Sequence, residues 1–170
     1  MVTIKEESPE DLAAIERVNE LAFDRRDEAQ LVEALRRSQK ISLSLVAVED
    51  GQVEGHILFS PMRILSESGS VYPALGIGPL AVLPTSQRQG IGSALLKTGL
   101  AKCRAAGHRV VLVLGHPSYY PRFGFQPAGQ FGISCAYDVP DDAFMALALE
   151  PGALNNVSGV AHYEPEFDGV

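Results

Sequence analysis

Leu80-Ala81-Val82-Leu83-Pro84-Thr85-Ser86-Gln87-Arg88-Gln89-Gly90-Ile91-Gly92-Ser93-Ala94-Leu95-Leu96 decides the reading of this chain. An apolar strand ends, a short polar loop follows, and a helix opens through two glycines. Glycine lets a backbone approach a ligand closely and accept a positive φ. A helix start leaves several N–H groups without intrahelical partners and carries about half a positive charge. Such a segment makes an anion cradle that needs no lysine. Charge-assisted hydrogen bonds contribute roughly 1.5–3 kcal/mol each, so three or four amides outweigh distant repulsion even in an acidic protein. Exposed charges more than about 8–10 Å away are largely screened at physiological salt.

Working outward, the helix is expected over Gln89–Ala106, with Gly107 closing it. Val110–Leu114 reads as a buried strand. Upstream, Leu43–Glu49 and Val53–Ile64 flank Asp50-Gly51, a hairpin turn, and Tyr72–Leu83 is a third strand after a turn at Ser66–Ser70. Val2–Glu6 opens the chain. Ser8-Pro9-Glu10-Asp11 then has the form of a capping box, followed by a helical face of Leu12, Ile15, Val18 and Ala22. A second helix is expected over Asp27–Arg37. Beyond Gly124-Phe125 only Phe144–Leu149 and Val160–Tyr163 read as strands, with Cys135 in a further short one. The order β-α-α-β-β-β-α-β, then mixed β, predicts an α/β fold with a mixed sheet, an antiparallel N-terminal part and one β-α-β crossover. No linker or repeat divides the 170 residues, so one domain over 1–170 is expected.

Composition narrows the function classes. Hydrophobic residues make up 46% and charged residues 21%, enough for an ordinary core. The net charge is 14 − 21 = −7, which argues against a nucleic-acid footprint and favours cationic partners. Cys103 and Cys135 make no disulfide framework; Cys103 continues a helical stripe with Leu96 and Leu100 as a small hydrophobe. With no signal peptide and no apolar run of membrane length, the expectation is a cytoplasmic protein without a membrane partner. Four scattered histidines give no metal-ligand spacing, so no metal is expected. Gly76-Ile77-Gly78-Pro79-Leu80-Ala81 matches a dinucleotide pattern, but the run continues a strand rather than opening a helix. No GxxxxGK[ST] pattern is present.

Gln87-Arg88-Gln89-Gly90-Ile91-Gly92 after an apolar strand, followed about thirty residues later by Gly115-His116-Pro117-Ser118-Tyr119-Tyr120-Pro121-Arg122-Phe123-Gly124-Phe125, resembles the GNAT superfamily of acyl-CoA-dependent N-acetyltransferases. Val53–Pro61 also looks like the third strand of a small bacterial branch of that superfamily. The resemblance covers Val2 to Ala128; the C-terminal strands in 129–170 are less clear. It implies a GNAT-like sheet whose central strands splay, with acetyl-CoA as co-substrate. Leu80, Ala81 and Val82 would hydrogen-bond pantetheine. The amides of Gln87, Arg88, Gln89, Gly90, Ile91, Gly92 and Ser93 would hold the pyrophosphate, and Tyr120 would protonate the departing thiolate.

An amine attacking a thioester must be neutral. For a lysine-like amine, deprotonation near neutral pH costs roughly 4 kcal/mol; for an α-amine it costs under about 1. No base motif stands out. Glu28, His56 and His116 are the candidates for a base or substrate contact, with Glu33 and Glu54 beside them. Arg122 either reaches a cofactor phosphate or is a solvated turn residue. The implied reaction is acetyl transfer to a primary amine on a small molecule or peptide. A non-catalytic acyl-CoA-binding module is the alternative. C-terminal strands able to extend a neighbour's sheet allow a homodimer.

Overall fold

The structure is a computed structural model that describes residues 1–170. Nine strands and three α-helices form a mixed α/β fold with a mixed sheet, the class expected. The chain groups into two compact units, each built from discontinuous stretches: Met1–Ser60, Gly78–Lys102 and Glu166–Val170 in the first, Pro61–Ile77 and Cys103–Pro165 in the second.

In the first unit, β1 (Thr3–Glu6) pairs antiparallel with β2 (Leu43–Glu49), and β2 with the first part of β3 (Gln52–Leu65). The hairpin turn has Asp50 and Gly51 at φ 51° and 77°, the doubly left-handed geometry that a two-residue turn needs to match strand twist. The capping box forms: Asp11 Oδ2 accepts from the Ser8 amide (2.8 Å) and hydroxyl (2.9 Å), and Lys5 Nζ donates to it at 2.6 Å. Behind the box, α1 (Leu12–Phe23) and α2 (Asp27–Arg37) bury Ile15, Val18, Leu31, Val32 and Leu35 against Val46, Val53, Leu58, Ala81 and Leu83.

β4 (Val71–Val82) carries the dinucleotide-like glycines inside a strand, as expected. The following α3 (Ile91–Ala105) starts two residues later than the expected Gln89. Arg88 and Gly90 both sit at left-handed φ, 64° and 85°, which no right-handed helix accommodates. At the other end Gly107 caps the helix with φ 92°, its amide donating to the Arg104 carbonyl and that of His108 to Cys103.

In the second unit, the start of β4 runs parallel to β5 (Val110–Leu114) from Leu75↔Val111 to Ile77↔Val113. β5 pairs antiparallel with β8 (Phe144–Ala148), and β8 with the two-residue β6 (Gln126–Pro127). The end of β3 pairs with β9 (Gly159–Tyr163), which lies parallel to β7 (Ile133–Cys135). Met62, Ile64, Leu112, Ala128, Ile133, Phe144, Ala146 and Ala161 are among the buried side chains of this unit's core. Cys103 is buried as expected, and burial pushes its thiol up to about 11. No helix is long and apolar enough to cross a membrane.

Candidate active site

The glycine-rich loop is built almost entirely from backbone. After β4 ends, the Leu83 amide donates to the Glu54 carbonyl at 2.9 Å. Pro84–Ser86 makes one 3₁₀ turn, closed by the Ser86 amide on the Leu83 carbonyl at 2.8 Å. Gln87 folds back, its Nε2 donating to the Val82 carbonyl at 3.1 Å. Gln87, Arg88, Gln89 and Gly90 are exposed. The Ala94 amide donates to the Gly90 carbonyl at 3.0 Å, and the amides of Ile91 and Gly92 precede that first helical bond. A strand, a left-handed loop and an open helix start thus follow one another as an anion cradle requires.

Gly90 is not a packing glycine, because an added Cβ there would meet nothing within 4 Å. The packing glycines of this unit are two that the sequence reading did not single out. On β3, a Cβ at Gly55 would stand 2.9 Å from Ile91 Cγ2, 3.0 Å from Leu95 Cδ1 and 3.3 Å from the Ala81 carbonyl oxygen. On α3, one at Gly99 would stand 2.5 Å from Phe59 Cε1. Gly55 is the floor on which the start of α3 rests.

The second unit supplies the aromatic turn. The Gly115 amide donates to the Ala143 carbonyl at 2.9 Å, and the Tyr119 amide to the His116 carbonyl at 3.1 Å. Tyr120 begins a 3₁₀ turn that Gly124 ends at φ 98°. Only 8% of Tyr120 is exposed. Its ring lies over Gly115, where a side chain would collide with it, and meets Tyr119 and Phe125 edge-on at 5.1 and 5.7 Å. Burial, with a smaller push from Tyr119, raises the phenol to about 12, so it keeps its proton at physiological pH. Arg122 lies over the Tyr119 ring at 4.6 Å, its Nε donating to the Tyr119 carbonyl at 3.4 Å, an anchored turn residue.

Tyr137 and Tyr163, neither singled out from sequence, stack at 5.7 Å in this unit. Burial raises the Tyr163 phenol, and Cys135, Tyr137 and Tyr120 add to the effect. A cavity of about 720 Å³ is lined by Cys135, Tyr137, Asp138, Asp141 and Asp142 among others, with no basic side chain.

The expected base candidates differ in what holds them. His56 is a core residue, with no solvent exposure. Its Nδ1 accepts from Asn19 Nδ2 at 3.2 Å, and its Nε2 lies 2.9 Å from Ser44 Oγ. Because Asn19 Nδ2 also donates to the Ile15 carbonyl at 2.9 Å, the amide is fixed, and the ring is the neutral Nε2–H tautomer donating to Ser44. Burial, aided by Arg36, holds its pKa down at about 3. Both nitrogens are engaged inside the core, and neither is left for an acceptor amine. Glu28 is buried in the first turn of α2, with both carboxylate oxygens on Arg25: Oε1 2.9 Å from Nε and Oε2 in close contact with Nη2. Glu33 pairs with Arg36 and Arg37 at 3.5 Å. Glu54 receives the Ser86 hydroxyl at 2.9 Å. His116 is exposed in the aromatic turn. No group of three or more His, Cys, Asp or Glu is gathered as a metal site.

Residues 3–128 match the family model described as Acetyltransferase (GNAT) domain. The chain belongs to the GNAT family of acetyltransferases, the class that its loop, helix start and mixed sheet define. It is 40% identical over 167 residues to the Uncharacterized N-acetyltransferase YjhQ of Escherichia coli, covering 94% of this chain and 91% of that protein. Among solved structures, the GNAT family N-acetyltransferase YhbS of Escherichia coli, in complex with CoA, superposes with a TM-score of 0.92 at 34% identity, covering 98% of this chain and 91% of that one. A GNAT family acetyltransferase of Brucella melitensis, in complex with acetyl-CoA, gives a TM-score of 0.82 at 39% identity, with 99% of each chain covered.

Proposed function

We propose that residues 1–170 act as one N-acetyltransferase, moving an acetyl group from acetyl-CoA to a primary amine of a small molecule or peptide by direct attack. The observation that carries this is the open start of α3 behind the left-handed loop at Arg88–Gly90. It offers amides to the diphosphate, at Gln87 to Gly92 and from Ser93, without a single lysine. Leu80, Ala81 and Val82, beyond the β4–β5 ladder that ends at Ile77, offer strand edge to pantetheine. The two solved relatives holding CoA and acetyl-CoA support the same cofactor here.

The neutral amine adds to the thioester carbonyl, the C–S bond breaks, and the net proton passes from nitrogen to sulfur. Tyr120 serves as the acid. Full transfer from a phenol at about 12 to a thiolate of pKa about 8.5 would be uphill by roughly 5 kcal/mol. Its contribution is therefore hydrogen-bond donation to sulfur while charge develops, with the phenol recovering any proton it gives from the positively charged nitrogen of the tetrahedral adduct, which leaves the neutral amide and the free thiol. Glu28 is committed to Arg25, leaving His116 as the exposed candidate for relaying the amine proton. An α-amine near its own pKa needs no such base.

The test is release of free CoA thiol from acetyl-CoA on addition of a panel of α-amines, lysine-like amines and small diamines. The expected result is amine-dependent turnover with at least one class. Tight CoA binding without turnover across the panel would reduce the chain to a binding module.

A further inference from the structure

Glu54 has a carboxylate beside the glycine-rich loop, which suits it on paper to the role of general base. Its bonds argue otherwise. The Ser86 hydroxyl donates to Glu54 Oε2 at 2.9 Å, and Ser86 is 6% exposed. The Glu54 carbonyl takes the Leu83 amide at 2.9 Å. One residue of β3 thus grips the loop at both ends of its 3₁₀ turn, Leu83 before it and Ser86 at its close, through main chain and side chain respectively. Its neighbour Gly55 supports Ile91, the first residue of α3. The left-handed stretch Arg88–Gly90 hangs between these two fixed points, and nothing fills the space around Gly90 to hold it otherwise.

We propose that Glu54 is a positioning residue that, through Ser86, fixes the diphosphate-binding loop in its binding shape, and that it is not the base. This rests on the reading of that loop as the cofactor cradle. A loop pinned before binding loses less freedom when the ligand arrives, so Glu54 acts on cofactor affinity rather than on the chemical step. The carboxylate serves as a hydrogen-bond acceptor, and its charge is incidental, so glutamine, which keeps an acceptor oxygen, is a sufficient replacement.

The experiment compares the parent chain with Glu54→Ala, Glu54→Gln, Ser86→Ala and the double alanine variant. It measures CoA binding by calorimetry, KM for acetyl-CoA, kcat, and the pH profile of kcat. Glu54→Ala and Ser86→Ala are each expected to weaken CoA binding about tenfold and raise KM in step, with kcat within twofold. The double variant should be no worse than the weaker single one, because both remove the same bond. Glu54→Gln should return affinity to within about twofold of the parent and leave the pH profile unmoved. A fall in kcat in Glu54→Gln with a shifted pH profile would make Glu54 the base and overturn the proposal. So would unchanged CoA affinity in both single alanine variants, whereas a parent chain that binds no CoA would remove the cradle reading itself. Ser86→Ala deletes one exchangeable hydroxyl, so it stays informative should Glu54→Ala fold poorly.

Discussion

The glycine-rich loop and the aromatic turn are both short connections after a strand, closed by a 3₁₀ turn and glycine at positive φ. They spend their residues differently. In the loop at Leu83–Gly90 the side chains of Arg88 and Gln89 are exposed, that of Gln87 folds back onto the Val82 carbonyl, and what is presented is main chain. In the turn at Gly115–Gly124 the amides of Tyr119, Tyr120, Arg122 and Gly124 bond within the turn and that of Gly115 bonds to Ala143, and what is presented is one buried phenol braced by Gly115, Tyr119 and Phe125. If, as proposed, a set of amides meets the diphosphate, the loop needs shape more than identity. If, as proposed, the Tyr120 phenol is the one proton donor to a departing sulfur, the turn needs a particular atom. The loop should therefore be sensitive to what shapes it from beneath, and the turn to the loss of a single oxygen.

The largest expected effect comes from disturbing the floor of the loop. Gly55→Val places Cβ and its methyls against Ile91, Leu95 and the Ala81 carbonyl, and overpacking at such a site costs about 2–3 kcal/mol. Denaturant unfolding should show that loss, and CoA binding should weaken with it. Stability lost with full CoA affinity would mean that the floor does not shape the cradle. Next is Tyr120→Phe. It keeps the ring packing and removes the hydroxyl, so kcat is expected to fall at least tenfold, about 1.4 kcal/mol, while the CoA dissociation constant stays within twofold. A full-rate phenylalanine variant would remove Tyr120 from the chemistry.

These two regions were unequally legible in the sequence. Gln87–Gly92 and the Tyr119–Phe125 turn could be read because they carry their meaning locally, in glycine spacing next to a strand and in a short aromatic run. Gly55 and the Glu54–Ser86 bond could not, because they depend on β3 meeting a loop some thirty residues away. Strand alternation says that Gly55 and His56 face opposite sides of the sheet, but not which helix covers which side. His56 was therefore a base candidate in sequence and a core residue in the structure. The late start of α3 was equally hidden: Gln89 is a good helix former, and only the backbone geometry reveals Gly90, the next residue, in the left-handed region. Beyond Phe125 the strands are two to five residues long and pair with distant partners, so periodicity had little to register.

His56 gives a third test, which separates folding from chemistry in the strand that carries the floor. Its folded pKa of about 3 lies below the unfolded value near 6.5, so below pH 6.5 the unfolded chain binds the extra proton. Its contribution to stability is complete above about pH 6.5 and is lost as pH falls toward 3. Between pH 6.5 and 5.5 the loss should be about 1 kcal/mol. His56→Gln has nothing to titrate there, so subtracting its urea-unfolding stabilities from those of the parent isolates the effect. Parallel curves would place a protonated His56 in the folded core.

The smallest effect is expected where a charge-based reading of the loop would look for the largest. Gln87→Ala, Arg88→Ala and Gln89→Ala each delete an exposed side chain and leave the amide behind. If the amides bind the diphosphate, each variant should hold CoA within about threefold of the parent, roughly 0.6 kcal/mol. Arg88→Gly should do at least as well as Arg88→Ala, since glycine removes the cost of a side chain at φ 64°. Raising salt should weaken all these variants and the parent alike, because an amide cradle survives the loss of the guanidinium. A tenfold drop confined to Arg88→Ala and Arg88→Gly, with a flatter salt dependence, would instead make the cation the anchor. The loop would then resemble the aromatic turn, a scaffold for one side chain.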